Sequence, residues 1–146
     1  MRLGGLILAG GRSRRMGRPK ESLPIGDTTM LGWQCRTLIS CTEVVVTVGR
    51  DPSQALPEIP AVVDVTSDEI PGEGPLAAIA AGLRHLRDKH GFGDRDAAMT
   101  VGCDQPLLTA APVRWLSEQI GDADVLMPQA NNSIESHRDG RGCCYY

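Results

Sequence analysis

The sequence predicts a three-layer α/β/α sandwich around a mainly parallel sheet, and three observations predict it. The 146 residues suit one domain, and a domain of that length can bury roughly 70% of its unfolded surface without staples. Short apolar runs alternate with segments whose apolar residues recur at helical spacing. The first such run ends in a double glycine, Gly10-Gly11, where an open parallel sheet would receive a ligand.

Taken in order, Leu3 to Ala9 reads as a strand stopped by Gly10-Gly11. Thr28 or Thr29 then caps a helix that turns Leu31, Cys35, Leu38 and Ile39 toward a core. Glu43 to Val48 is rich in β-branched residues and ends at Gly49, and Ala61 to Val65 is the third run. Gly74 and Pro75 open a helix carrying Leu76, Ile79, Ala80, Leu83 and Leu86. Ala97 to Val101 precedes Gly102-Cys103; Thr109 caps a helix with Val113, Leu116 and Ile120 that Gly121 ends; Asp124 to Met127 is the fifth run. Unbroken apolar runs suit strands covered on both faces, so the sheet is Rossmann-like and mainly parallel. Residues 1–130 form the domain, and 131–146, with no amphipathic period, read as an atypical tail.

Composition narrows the function. Apolar residues are 41% and charged residues 23%, and no apolar run is long enough to span a membrane. Leu3 to Ala9 is too short and wrongly flanked for a signal peptide, so a cytoplasmic protein is expected. Aromatics are only 3%, too few for the stacking platforms of single-strand binding. Residues 1–20 hold six cations and no acid, while the other 126 hold nine basic and 18 acidic side chains. Positive charge gathered in one loop suits one bound anion, not a duplex, so no nucleic-acid partner is expected. Five cysteines without a C-x-x-C pair read as reduced, incidental thiols. The cysteines and His85, His90 and His137 show no zinc-ligand spacing, and His85 and His90 read as surface residues.

The chemistry is concentrated in Leu8-Ala9-Gly10-Gly11 and the basic stretch after it. Glycines without Cβ let backbone approach a ligand closely, and the amides that follow can form an anion nest. Arg12, Arg14, Arg15, Arg18 and Lys20 add attraction for a polyphosphate, and Ser13 is a further donor. The loop is neither a P-loop nor a dinucleotide fingerprint: five residues separate Gly11 from Gly17, and Lys20 is followed by Glu21. Asp104, in Cys103-Asp104-Gln105-Pro106, ends another apolar strand, where a carboxylate would hold Mg2+ beside a triphosphate. Asp64, also at a strand end, should face the same crevice. It would bond a ribose hydroxyl, orient a metal-bound water or simply cap its strand. Glu73 complements the dipole of the helix it precedes.

These residues together resemble the MobA-like nucleotidyltransferases, in particular the molybdenum cofactor guanylyltransferases. The resemblance rests on Leu8-Ala9-Gly10-Gly11, Arg15-Met16-Gly17, Lys20, Gly74-Pro75-Leu76-Ala77-Ala78-Ile79 and Cys103-Asp104-Gln105-Pro106, and covers residues 3 to about 130. It implies a fold of nucleotide-diphospho-sugar transferase type and transfer of GMP from Mg-GTP to the phosphate of molybdopterin, releasing pyrophosphate. Leu8, Ala9 and Gly10 would contact the guanine nucleotide, Lys20 and Arg15 its phosphates, and Asp64 the nucleotide. Asp104 would hold Mg2+ near the α-phosphate, and Thr47 would line the base site. Relatives using CTP or another phosphorylated acceptor often read Leu-Ala-Ala-Gly in the first loop, so Gly10 favours guanine.

The resemblance ends near residue 130. Family members continue into a His-Pro pair, a further strand and a closing helix that form the acceptor pocket, whereas His137 here precedes Arg138. The chain therefore reads as truncated at its carboxyl end, which leaves a nucleotide-binding remnant without turnover as the rival reading. A monomer or weak self-association through an open strand edge is expected.

Overall fold

The computed structural model describes residues 1–11, 17–70, 73–128, 134–137 and 143–145, the last two segments as backbone only. The order is β1 (Leu3–Leu8), a 3-10 turn (Lys20–Ser22), β2 (Pro24–Ile25), β3 (Thr28–Thr29), α1 (Met30–Ile39), β4 (Val44–Gly49) and β5 (Asp64–Ser67). Then follow α2 (Pro75–His90), β6 (Ala97–Gly102), α3 (Ala110–Gln119), β7 (Val125–Pro128), β8 (Ile134–His137) and β9 (Cys143–Tyr145). Local chemistry sets the helix ends. Thr29 Oγ1 accepts from Gly32 N (3.2 Å), closing α1 at its start, and Gly91, with φ of 67°, ends α2 in the left-handed conformation that favours glycine.

The main sheet has the order β5-β4-β1-β6-β9-β7-β8, and β2 and β3 form a separate two-stranded hairpin. Every neighbouring pair of the main sheet is parallel except β7 with β8. β1 lies centrally, pairing Leu6 with Val46 on one side and with Thr100 on the other. Alternation along β1 sends successive side chains to opposite faces. Ile7 joins Leu31, Cys35 and Leu38 of α1 and Val113 and Leu116 of α3, while Leu6 joins Ala78, Ala81 and Leu86 of α2. The three layers of the expected sandwich are thus α1 with α3, the sheet, and α2. Leu6, Ile7, Leu31 and Leu38 are wholly buried, each such side chain contributing about 1.5–3 kcal/mol by leaving water. No helix among the described residues is long and apolar enough to cross a membrane.

Two stretches of the chain differ from the sequence expectation. The third apolar run, Ala61 to Val65, is mostly a turn: Val63 N donates to Pro60 O (3.0 Å), Val62 is exposed, and the strand occupies Asp64–Ser67 instead. β5 is an edge strand, so it needs no continuous apolar run, and Val65 is half exposed. Within the patternless stretch after residue 130, β8 pairs antiparallel with β7, and β9 lies parallel between β6 and β7.

Candidate functional site

The crevice is built at the carboxyl edge of the sheet. Leu8 and Gly102 are register partners, and Cys103 N donates to Leu8 O (3.3 Å), so Asp104 leaves the sheet beside the turn at Gly10-Gly11. On the other side Ala9 N donates to Val48 O (2.9 Å), which carries the same turn alongside Gly49 and Arg50. A Cβ on Gly10 would lie 3.0 Å from both Cα and N of Arg50, a backbone contact only glycine relieves. Gly11 has nothing within 4 Å of that position, so its missing side chain opens space toward solvent.

One amide holds these loops in register. Gln54 Nε2 donates to Ala9 O (2.8 Å) and to Glu21 Oε1 (2.7 Å), while its Oε1 accepts from Arg50 N (2.6 Å). The glycine turn, the exit of β4 and the 3-10 turn bearing Lys20 are thereby tied to a single side chain. Glu21 is only 4% exposed, and a buried carboxylate needs such a donor.

From that 3-10 turn Lys20 reaches across to β6, its Nζ donating to Asp104 Oδ2 at 2.8 Å. The Lys20 ammonium holds the Asp104 carboxyl below the usual carboxylate range, so it is ionised at neutral pH. Gln34 of α1, fully buried, donates through Nε2 to Gln105 O and anchors the segment after Asp104 from below. Both side chains of the ion pair stay nearly half exposed, accessible to a ligand.

The same glycine turn borders a cavity of about 370 Å³. Leu8, Gly10 and Gly11 form one wall, Gly49, Arg50 and Asp68 a second, and Gly74, Pro75 and Ala78 a third. Gly74 has φ of 86°, a conformation open to glycine, and from it α2 starts with its amino end at the cavity. That end carries partial positive charge suited to an anion or a carbonyl oxygen. Asp68 is buried; its N donates to Gly49 O (2.9 Å) and its Oδ1 accepts from Ile70 N (2.9 Å), fixing the carboxylate just past β5.

Of the residues singled out from sequence, the structure brings Leu8, Gly10 and Gly11 to the cavity and Lys20 to Asp104. Ala9 is buried beneath them, with its N–H and C=O both bonded inside the protein. Arg15 and Ser13 lie outside the described residues. Asp64 is not in the crevice. It opens β5 rather than ending it, at the opposite edge of the sheet, where Lys89 Nζ (2.8 Å), His85 Nε2 (2.9 Å) and His90 Nε2 (2.6 Å) surround its carboxylate. Lys89 first and His90 next hold that carboxyl well below the usual range. His85 and His90 are accordingly half-buried partners of Asp64, not free surface residues. Thr47 is wholly buried under α1, its Oγ1 3.9 Å from Cys35 Sγ, and does not reach the crevice.

Asp68 and Arg50, which line the cavity, belong to no motif of the sequence. The signal for Asp68 was the strand boundary: once β5 begins at residue 64, the acid one residue beyond its end is Asp68. Burial pushes the thiols of Cys35 and Cys103 up to about 11, which leaves both inert by position.

Residues 5–137 match the MobA-like NTP transferase domain. A protein of Mycobacterium tuberculosis H37Rv named "Probable molybdenum cofactor guanylyltransferase" is 40% identical over 129 residues, covering 86% of this chain and 61% of that one. A protein of the same name from Mycolicibacterium paratuberculosis is 38% identical over 143 residues, covering 97% of this chain and 66% of that one. The chain thus spans about three fifths to two thirds of these relatives' length. Among solved structures, an Rv0371c homologue from Mycobacterium sp. strain JC1 superposes with a TM-score of 0.68 at 27% identity, covering 94% of this chain and 69% of that one. Rv0371c of Mycobacterium tuberculosis in complex with manganese has the same fold (TM-score 0.62, 19% identity, 93% and 68% covered).

Proposed function

The chain belongs to the MobA-like NTP transferase family, and from that premise we propose that it binds GTP with Mg2+ and transfers GMP to the phosphate of molybdopterin in cytoplasmic molybdenum cofactor biosynthesis. The observation that carries the reading is the Lys20–Asp104 pair and a glycine-walled cavity on the same glycine turn at the carboxyl edge of the sheet. The relatives' name supports a guanine nucleotide and a molybdenum cofactor acceptor.

The residues present suit the implied ion. Asp104 is a half-exposed carboxylate kept ionised by a neighbour. Mg2+ binds through one or two carboxylates and keeps its other positions for water and phosphate oxygens. When bound, it would neutralise charge on the phosphates during displacement. Lys20, displaced from Asp104 by the incoming ligand, would bind the β- and γ-phosphates and stabilise the leaving pyrophosphate. An oxygen of the acceptor phosphate attacks the α-phosphorus, the α–β bridging bond breaks, and no side chain acts as nucleophile. Catalysis is then positioning and charge stabilisation. The turn at Gly10-Gly11 supplies close backbone, and the nucleoside contact expected of Asp64 passes to Asp68 and Arg50. A carboxylate such as Asp68 matches the two adjacent N–H donors on the guanine edge, which cytosine lacks.

The test has two stages. Calorimetry with GTP, CTP and ATP, with and without Mg2+, should show Mg-dependent binding that prefers GTP; preference for CTP would overturn the base assignment. Incubation with GTP and molybdopterin should then give guanylylated product and pyrophosphate, and binding without product would favour the remnant reading. Asp104→Asn should keep the fold and lower Mg-dependent turnover about 100-fold or more. Unchanged turnover would remove Asp104 from the mechanism.

A further inference from the structure

We propose that Asp64, His85 and His90 form a second cation site, distinct from the nucleotide crevice and suited to a divalent transition metal of the Zn2+ class. The three residues meet where β5 begins and α2 ends. His85 Nε2 and His90 Nε2 both address the same oxygen, Asp64 Oδ2, at 2.9 and 2.6 Å. The three donor atoms lie within 4.8 Å of one another. Tetrahedral ligands on bonds of about 2.0–2.1 Å stand roughly 3.3 Å apart, so small side-chain adjustments would make room for an ion.

The donor set decides the class of metal. Two neutral imidazoles and one carboxylate are ligands for Zn2+ and neighbouring first-row ions, whereas Mg2+ takes oxygen. Asp64 Oδ1 is engaged by Lys89 Nζ at 2.8 Å, which fixes the carboxylate and leaves Oδ2 for the ion, the arrangement of an outer-shell partner. Lys89 is itself 57% exposed, so the high dielectric of the surrounding water weakens its repulsion toward a cation. The ligands are 19–26% exposed, enough for a metal to arrive from solvent and keep a water as a further ligand.

Position separates this site from the other. α2 runs from Pro75 at the cavity to His90, a length of about 22 Å for its 16 residues. The ion would clasp the far ends of β5 and α2, whose near ends carry Asp68 and Gly74 into the cavity wall.

The experiment uses the full chain, stripped of metal, with Zn2+ in calorimetry and Co2+ as a spectroscopic probe. One equivalent of Zn2+ should bind, the melting temperature should rise, and Co2+ should give visible bands without thiolate charge transfer. X-ray absorption of the zinc-loaded wild type should show imidazole and oxygen neighbours and no sulfur. His85→Ala and His90→Ala should each weaken Zn2+ beyond the about 10–100-fold that losing an outer-shell partner costs. Asp104→Asn should leave this binding unchanged. Absent Zn2+ binding, a sulfur-containing shell, or wild-type affinity retained in both folded histidine variants would overturn the proposal, leaving a hydrogen-bonded clasp. The absorption result needs no variant, so it decides even if a histidine substitution fails to fold.

Discussion

Adjacent glycines in the first turn should respond in opposite ways to the same substitution. In Gly10→Ala the new Cβ meets Cα and N of Arg50 at 3.0 Å. Those are backbone atoms, and Arg50 N is held by Gln54, which also binds Ala9 O, so neither side can yield cheaply. Overpacking of this kind costs about 1–3 kcal/mol, which for a chain of this size lowers the melting temperature by about 3–12 °C. In Gly11→Ala the Cβ meets nothing, and φ is not positive. The loss of unfolded-state freedom then stabilises by up to about 1 kcal/mol. If bound nucleotide uses the space beside Gly11, this stable variant should nonetheless bind GTP more weakly. Thermal melts and calorimetry on both variants give the comparison. An unshifted melt for Gly10→Ala would refute the close-approach argument, and wild-type GTP affinity in Gly11→Ala would refute ligand approach at that residue.

Other outcomes follow from the same geometry. Gln54→Ala removes the donor to buried Glu21 and the links to Ala9 and Arg50, so chemical denaturation should show a loss of about 2–4 kcal/mol. Asp68→Asn should weaken GTP binding by about 1.5–3 kcal/mol with little change in melting, since a charged acceptor becomes a neutral amide. Asp96 accepts from Gly93 N (3.0 Å) and Arg2 N (2.8 Å), and these bonds hold its carboxyl below the usual range. A folded-state value below the unfolded one, about 3.9, contributes stability in full above that pH, and the contribution fades as pH falls through the folded value. Melts of wild type and Asp96→Asn should therefore differ at neutral pH and converge in acid.

Central elements were legible in the sequence because burial on both faces demands continuous apolar runs. β1, β4 and β6 lie within a residue of where their runs placed them, and Thr29 and Gly74-Pro75 start α1 and α2 as their chemistry requires. The edge strand was not legible, since β5 has one flank open and its apolar residues preceded it in a turn. That shift of a few residues exchanged Asp64 for Asp68, because an acid at the start of a parallel strand and one just past its end face opposite edges of the sheet. The cluster around Asp64 was hidden for a different reason. Its histidines show no ligand spacing along the chain, and only the packing of α2 beside β5 brings a third donor to them. Gln54 was equally silent, because nothing local marks a loop glutamine that ties two distant segments to its own loop.

Under the proposed function, the contact between Lys20 and Asp104 also bears on how metal and phosphate would arrive. Without nucleotide, the carboxylate already has a resident counter-ion at 2.8 Å. A free magnesium ion would have to evict that ammonium into water and gain a single anionic ligand in exchange. A magnesium nucleotide offers both partners a replacement at once: cation for the carboxylate, phosphate for the ammonium. If Asp104 holds the metal and Lys20 the phosphates, as proposed, the pair would act as an internal competitor against metal alone and against phosphate alone, and would yield most readily when the two arrive together.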